Sequence, residues 1–273
     1  MTTIDFITEL YCQVDDQIGH APKHTQAKLY PSEVVTLALL YALKGSGPRA
    51  FWRWLSRDYR PLFPTLPSRT RLFRLFNRHG HFIGDFMAPP SLIGVIDSYG
   101  IALLHPRREG RSKAQIGKKG ISNQRWHPEG TRGGKLCFIL DHLGRIVDWA
   151  CDTANVYDGS AFQQLVDKFR HDMVIFSDAG FEKVDWQPQN LRICQRGEWN
   201  VRMVVETVLS MLTYICDFKH MAHKAWPYFE THVGFTLALF GLRSGYVQKG
   251  VTSMSEMWLR SMILTAICKN SAY

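Results

Sequence analysis

Paired cysteine motifs are missing from this chain. Cys12, Cys137, Cys151, Cys194, Cys216 and Cys268 are scattered, with no Cys-x-x-Cys among them. Neither a zinc-site spacing nor a disulfide framework is signalled, which fits a reducing compartment. Long apolar runs are lacking too. No stretch approaches the ~18 consecutive apolar residues of a spanning helix. Thr231–Leu242 is uncharged but too short, and reads as a buried helix. Asp5 and Glu9 stand where a secretory leader needs basic and then apolar residues, so the expected location is cytoplasmic. There is no low-complexity segment and no internal repeat. Acidic residues are also scarce, at 24 against 33 lysines and arginines, a formal net charge of +9 and a pI near 9.3.

What is present suffices for a folded core: 45% of the 273 residues are hydrophobic and 12% aromatic. That length allows one large domain or two of ordinary size. The positive balance favours a polyanionic partner, most simply nucleic acid, although charge alone also fits an anionic membrane surface.

Residues 1–90 read as helical. Phe6, Leu10 and Val14 recur at helical spacing over Asp5–Ile18. Pro31-Ser32-Glu33 opens a second helix, apolar along Val34–Leu43 and ended by Gly45-Ser46-Gly47. Phe51–Tyr59 interleaves aromatic and basic residues. Ser68–His79 places Arg69, Arg71, Arg74 and Arg78 among Leu72, Phe73, Leu75 and Phe76. Two readings stay open: a helix-turn-helix-like DNA reader with Arg71 and Arg74 on its surface, or a helical bundle whose arginines form its solvated side. Phe82–Ser91, with Gly84, Pro89 and Pro90, reads as a linker.

Beyond the linker the pattern becomes strand-like. Leu92–Ile96 is a short apolar run ending in Asp97-Ser98-Tyr99-Gly100, and Met173–Phe176 repeats the arrangement with Ser177-Asp178-Ala179-Gly180. Between the two aspartates, Arg107–Lys135 carries nine lysines and arginines, including Lys118, Lys119, Arg125 and Lys135, against Glu109 and Glu129 alone. Six glycines keep it irregular, so it suits a loop along a phosphate backbone, a solvated charged loop being the alternative. Lys135–Asp152 reads as a hairpin turned at Asp141-His142-Leu143-Gly144, Ser160–Arg170 as a helix, and Leu191–Cys194 as a strand. A long helix begins near Trp199 and carries Glu206. This order of antiparallel strands, then parallel strands and helices, is that of an RNase H-like α/β fold. The expected organisation is a helical DNA-binding region (1–90), a mixed sheet flanked by helices (91–245), and a tail (246–273) with a helix over Ser255–Lys269.

Asp97, Asp178 and Glu206, on strand, strand and helix, form an all-oxygen donor set of the kind that hard divalent cations take. Two magnesium ions about 3.5–4 Å apart assist phosphoryl transfer by activating a nucleophile and stabilising the leaving oxygen. Arg202 precedes Glu206 by four residues, on the same helix face, where it can reach a phosphate or pair with Glu206. Trp199, seven before, offers a base-stacking surface or an ordinary helix-entry aromatic. Asp141 and Asp148 fit hairpin positions, Asp158 fits a cap for the following helix, and no Gly-x-Ser-x-Gly elbow surrounds Ser98.

Val95-Ile96-Asp97-Ser98, the Lys135–Trp149 hairpin, Ala154-Asn155-Val156-Tyr157-Asp158, Ile175–Phe181 and Arg202-x-x-x-Glu206, in this order, resemble the bacterial insertion-sequence transposases of the DDE type. The likeness covers roughly Tyr30–Arg243. It implies a catalytic triad of Asp97, Asp178 and Glu206 holding two Mg2+, with Mn2+ as a substitute. It also implies strand cleavage at element ends and transfer into target DNA at the bacterial nucleoid; because that reaction needs two ends held together, a homodimer on DNA is expected. Thr213 stands where relatives carry a lysine seven residues after the glutamate. Two further readings stay open: an RNase H-like nuclease that cuts without joining, and an inactive DNA-binding relic or repressor.

Overall fold

A helix apolar on all sides must lie at the centre of its neighbours. α2 (Pro31–Lys44) is such a helix: from Val34 to Lys44 every residue is buried. In the computed structural model, which describes residues 2–103, 133–154, 156–182, 186–194, 202–218, 221, 223 and 225–248, it forms the core of the first of two units. That unit comprises the described residues of Met1–Phe86, Tyr214–Phe218 and Glu230–Tyr273. α1 (Thr3–Gln17) begins with a reciprocal cap, in which Thr2 N–H donates to Asp5 (2.7 Å) and Asp5 N–H donates to Thr2 Oγ1 (3.2 Å). Its Phe6, Ile7, Leu10 and Val14 are buried, as the helical spacing predicts.

α2 ends at Gly45 in the left-handed region (φ 58°), and a three-residue turn leads to α3 (Pro48–Asp58). Only glycine suits Gly45 on two grounds: its φ, and a Cβ there would lie 2.9 Å from Asp217 Cβ. α4 (Arg69–Arg78) buries Leu72, Phe73 and Phe76, while Arg69, Arg71, Arg74 and Arg78 are exposed. Tyr41 gathers this unit's aromatic core, its ring 5.1 Å from Phe51, 4.8 Å from Phe73 and 4.5 Å from His232. Burial pushes its phenol pKa well up. His232 belongs to α8 (Trp226–Gln248), which is buried from His232 to Phe240, as the uncharged run indicates. No helix among the described residues is long and apolar enough to cross a membrane. The expected linker Phe82–Ser91 is in part ordered as a 3-10 helix, Gly80–Phe86, because Ile83 and Phe86 insert into the core.

The second unit comprises the described residues of Met87–Thr213 and Lys219–Phe229. It is α/β, built on a five-stranded mixed sheet in the order β3-β2-β1-β4-β5, with β1 Ile93–Ala102, β2 Gly133–Asp141, β3 Ile146–Thr153, β4 Val174–Ser177 and β5 Leu191–Ile193. β1, β2 and β3 are antiparallel; β4 and β5 run parallel to β1. The expected hairpin is β2–β3, and its turn is tied by Asp141, which accepts from Leu143 N–H (2.9 Å), Arg145 N–H (2.8 Å) and Arg145 Nε (2.6 Å). β2 is buried at every position, as a strand covered on both sides must be.

The single helix expected over Ser160–Arg170 is instead two short ones, α5 (Asp158–Ala161) and α6 (Gln163–Asp167). The break is at Phe162, whose non-helical backbone carries its ring into the core with Val166, Phe169, Ile96, Ile139 and Ile175. Asn190, itself buried, holds this layer to the sheet by donating to Val166 O (3.0 Å) and Met173 O (3.1 Å). α7 (Arg202–Cys216) buries Val205, Val208 and Leu212, and Val204 and Val208 approach the hairpin turn at Gly144. The basic loop with Lys118, Lys119 and Arg125, the Trp199 position and the Ser255–Lys269 helix lie outside the described residues.

Candidate functional site

Asp97, midway along β1, and Asp178, just past the end of β4, come to neighbouring positions because the two strands are parallel neighbours with a fixed register. Ile93 pairs with Val174, Gly94 with Ile175 and Val95 with Phe176. Extended two residues further, past the end of β4, the same offset brings Asp97 level with Asp178. Parallel neighbours lie about 4.8 Å apart, and strand alternation puts both aspartates on the face that carries Val95 and Phe176. Sequence positions far apart are thereby delivered to one locus.

Each carboxylate is steadied locally. Asp97, half-buried within β1, accepts from the N–H of Ser98 through Oδ1 (2.7 Å). Asp178, exposed just past β4, accepts from Gly180 N–H through Oδ1 (2.9 Å) and caps a 3-10 turn, Ala179–Phe181. This explains why the aspartate precedes Ala-Gly: a Cβ on Gly180 would come 2.9 Å from Asp178 Oδ1.

Behind the pair lies a polar network that the sequence does not reveal. Lys135, expected in the basic loop as a DNA-contacting residue, is instead in β2 with its side chain 7% exposed. The strand begins at Gly133, so Lys135 falls inside the sheet, where its ammonium donates to Asp158 Oδ1 (2.9 Å) and Val156 O (2.8 Å). Asp158, read as a helix cap, is the first residue of α5, and its carboxylate faces the sheet instead. Its Oδ2 accepts from Ser98 Oγ (2.8 Å). Ser98 thus donates to both aspartates, by its N–H to Asp97 and by its hydroxyl to Asp158.

Cys137, on β2 beside this network, is fully buried. Burial pushes its thiol pKa well up, and the negative charges of Asp158 and Asp97 add to the effect. It is therefore an inert thiol rather than a nucleophile. A lone lysine at the start of the apolar run Leu136–Leu140 was the available signal for an internal charge.

Glu206 stands on the exposed side of α7, in its second turn, and Arg202 opens that helix. Among the described residues, no three histidine, cysteine, aspartate or glutamate side chains form a cluster able to hold a metal ion. The β1–β4 register brings Asp97 and Asp178 to neighbouring positions, whereas Glu206, expected as the third ligand, is not gathered with them into such a cluster. The pair's all-oxygen chemistry suits a hard cation that keeps several waters, which fits the expected ion in donor type. Arg71 and Arg74 are exposed on α4 of the first unit, and Arg49 and Arg53 are exposed on α3. No family model, characterised protein or solved structure matches the chain.

Proposed function

We propose that this protein is a DNA transposase of the DDE type, cutting DNA at element ends and joining the freed strand to a target. The observation that carries the reading is the parallel β1–β4 pairing, whose offset, extended two residues beyond Val95–Phe176, brings Asp97 level with Asp178. The sheet order supports an RNase H-like core, whose antiparallel strands precede its parallel ones. Asp97 and Asp178, with Glu206 brought in from α7, would hold divalent magnesium or manganese, which would supply activation of the attacking oxygen and stabilisation of the leaving one.

The net charge of +9 supports a polyanionic substrate. Exposed Arg71 and Arg74, and the lysines and arginines of 107–132, supply the phosphate contacts. The three-residue turn between α2 and α3 suits a helix-turn-helix-like reader in the first unit. Strand transfer requires two ends held together, so the working form is a homodimer on DNA at the nucleoid. A duplex bearing the repeats that flank the gene, incubated with a second labelled duplex and Mg2+, tests the reading. Joined product is expected from the wild type and none from Asp97→Ala or Glu206→Ala. Cut ends that are never joined would make the protein a nuclease instead. Thr213, in place of the family's lysine, favours one further reading, a relic that binds ends without cutting. Binding with no cleavage in Mg2+ or Mn2+ would establish it.

A further inference from the structure

We propose that Lys135 and Asp158 are a charge-balanced positioning pair for Asp97 and Asp178, acting on Asp97 through Ser98 and on Asp178 through Gly180. The inference rests on the metal-binding reading of Asp97 and Asp178 and gives Lys135 and Asp158 a joint role, in place of a DNA contact and a helix cap.

Four observations converge. The pair is nearly dry, with side chains 7% and 16% exposed, a setting in which a charged group persists only when paired and hydrogen-bonded. Ser98 spans from it to Asp97, giving its hydroxyl to Asp158 and its N–H to Asp97. On the other side, a Cβ at Gly180 would lie 3.8 Å from Asp158 Oδ2 and 2.9 Å from Asp178 Oδ1, so the carboxylate of Asp158 abuts the turn that holds Asp178. Finally, Cys137 feels the negative charge of both Asp158 and Asp97.

Asp158 is therefore close enough to the aspartates for its charge to matter, yet both its oxygens are engaged by Lys135 and Ser98. The pair sets the position of the ligands and keeps the local charge from drifting. Groups that hold metal ligands from behind change metal affinity by roughly 10–100-fold when removed.

The sign of the charge separates positioning from plain stability. Asp158→Asn leaves the Lys135 cation unbalanced behind the aspartates and opposes a divalent ion. Lys135→Met leaves the Asp158 anion unbalanced and favours it. Ser98→Ala keeps the ion pair and cuts the link to β1. The experiment is Mn2+ binding to the full chain without DNA, read from the electron paramagnetic resonance signal of free Mn2+. Circular dichroism checks folding, and Asp97→Ala marks the site.

The expected result is binding weakened about tenfold in Asp158→Asn, strengthened in Lys135→Met, and weakened by a smaller factor in Ser98→Ala. Equal binding in wild type and Ser98→Ala, or equal weakening in both charge variants, overturns the proposal. Should the charge variants fail to fold, Ser98→Ala decides alone. A wild type that binds no Mn2+ overturns the metal reading itself, and the inference with it.

Discussion

Lys135→Met isolates the energetics of the ion pair within the sheet. Methionine keeps most of the stem's volume and removes the ammonium, so its two hydrogen bonds, to Asp158 Oδ1 at 2.9 Å and Val156 O at 2.8 Å, are lost together. Asp158 is left as a carboxylate whose side chain is only 16% exposed. Removing one partner of a buried pair costs about 3–5 kcal/mol. The remaining exposure of Asp158 and its bond from Ser98 Oγ pull the figure to the lower end, about 3 kcal/mol. Adding Asp158→Asn removes the stranded charge while an amide oxygen can still accept from Ser98. The double variant is therefore expected to be more stable than Lys135→Met alone, with a coupling of about 2 kcal/mol. Because the chain has two units, urea unfolding by circular dichroism is paired with hydrogen exchange of the β2 amides, which reports the sheet by itself. A Lys135→Met protein within about 0.5 kcal/mol of wild type would refute the reasoning. So would a double variant less stable than either single one.

His223 lies buried in the second unit, and burial lowers its pKa to about 4 from an ordinary 6.5. The unfolded chain thus binds the extra proton first. Stability is fully present above about pH 6.5 and is lost as pH falls towards 4, by up to roughly 3 kcal/mol; His223→Phe should flatten that decline in urea midpoints measured across the window. Gly45→Ala should destabilise the first unit by at least ~1 kcal/mol, since φ is 58° and the added Cβ meets Asp217; this is read by melting temperature. Arg71→Ala and Arg74→Ala should each weaken DNA binding and lower the salt slope of log K by about 1 if each meets one phosphate, checked by titrations from low to high salt.

Periodicity made most of the elements legible. Phe6, Leu10 and Val14 mark α1, Pro31 and Gly45 bracket α2, and the Asp141–Gly144 turn marks the β2–β3 hairpin. These signals are local, so the residues that produce them lie within one element. The break at Phe162 and the ordered Gly80–Phe86 turn were not legible, because both follow from a buried aromatic finding its place in a core assembled from distant segments. Asp97 and Asp178 read alike as aspartates closing apolar runs before a glycine, but Asp97–Gly100 continue β1 whereas Asp178 follows β4. What brings the two to neighbouring positions is the β1–β4 register, which no local pattern encodes. The opposite holds for Lys135. Composition groups it with the basic residues before it, whereas the sheet, extending back to Gly133, takes it inside to meet Asp158.

The central claim is that Asp97 and Asp178 hold a metal that cuts DNA. Its most direct test is cleavage of an end-labelled duplex carrying the flanking repeats, run with Mg2+ and with chelator, beside Asp178→Ala. Nicking at the repeat end is expected from the wild type in Mg2+, none with chelator, and none from a folded, DNA-binding Asp178→Ala protein. Nicking that survives chelation, or an Asp178→Ala protein that cuts as well as wild type, would contradict it.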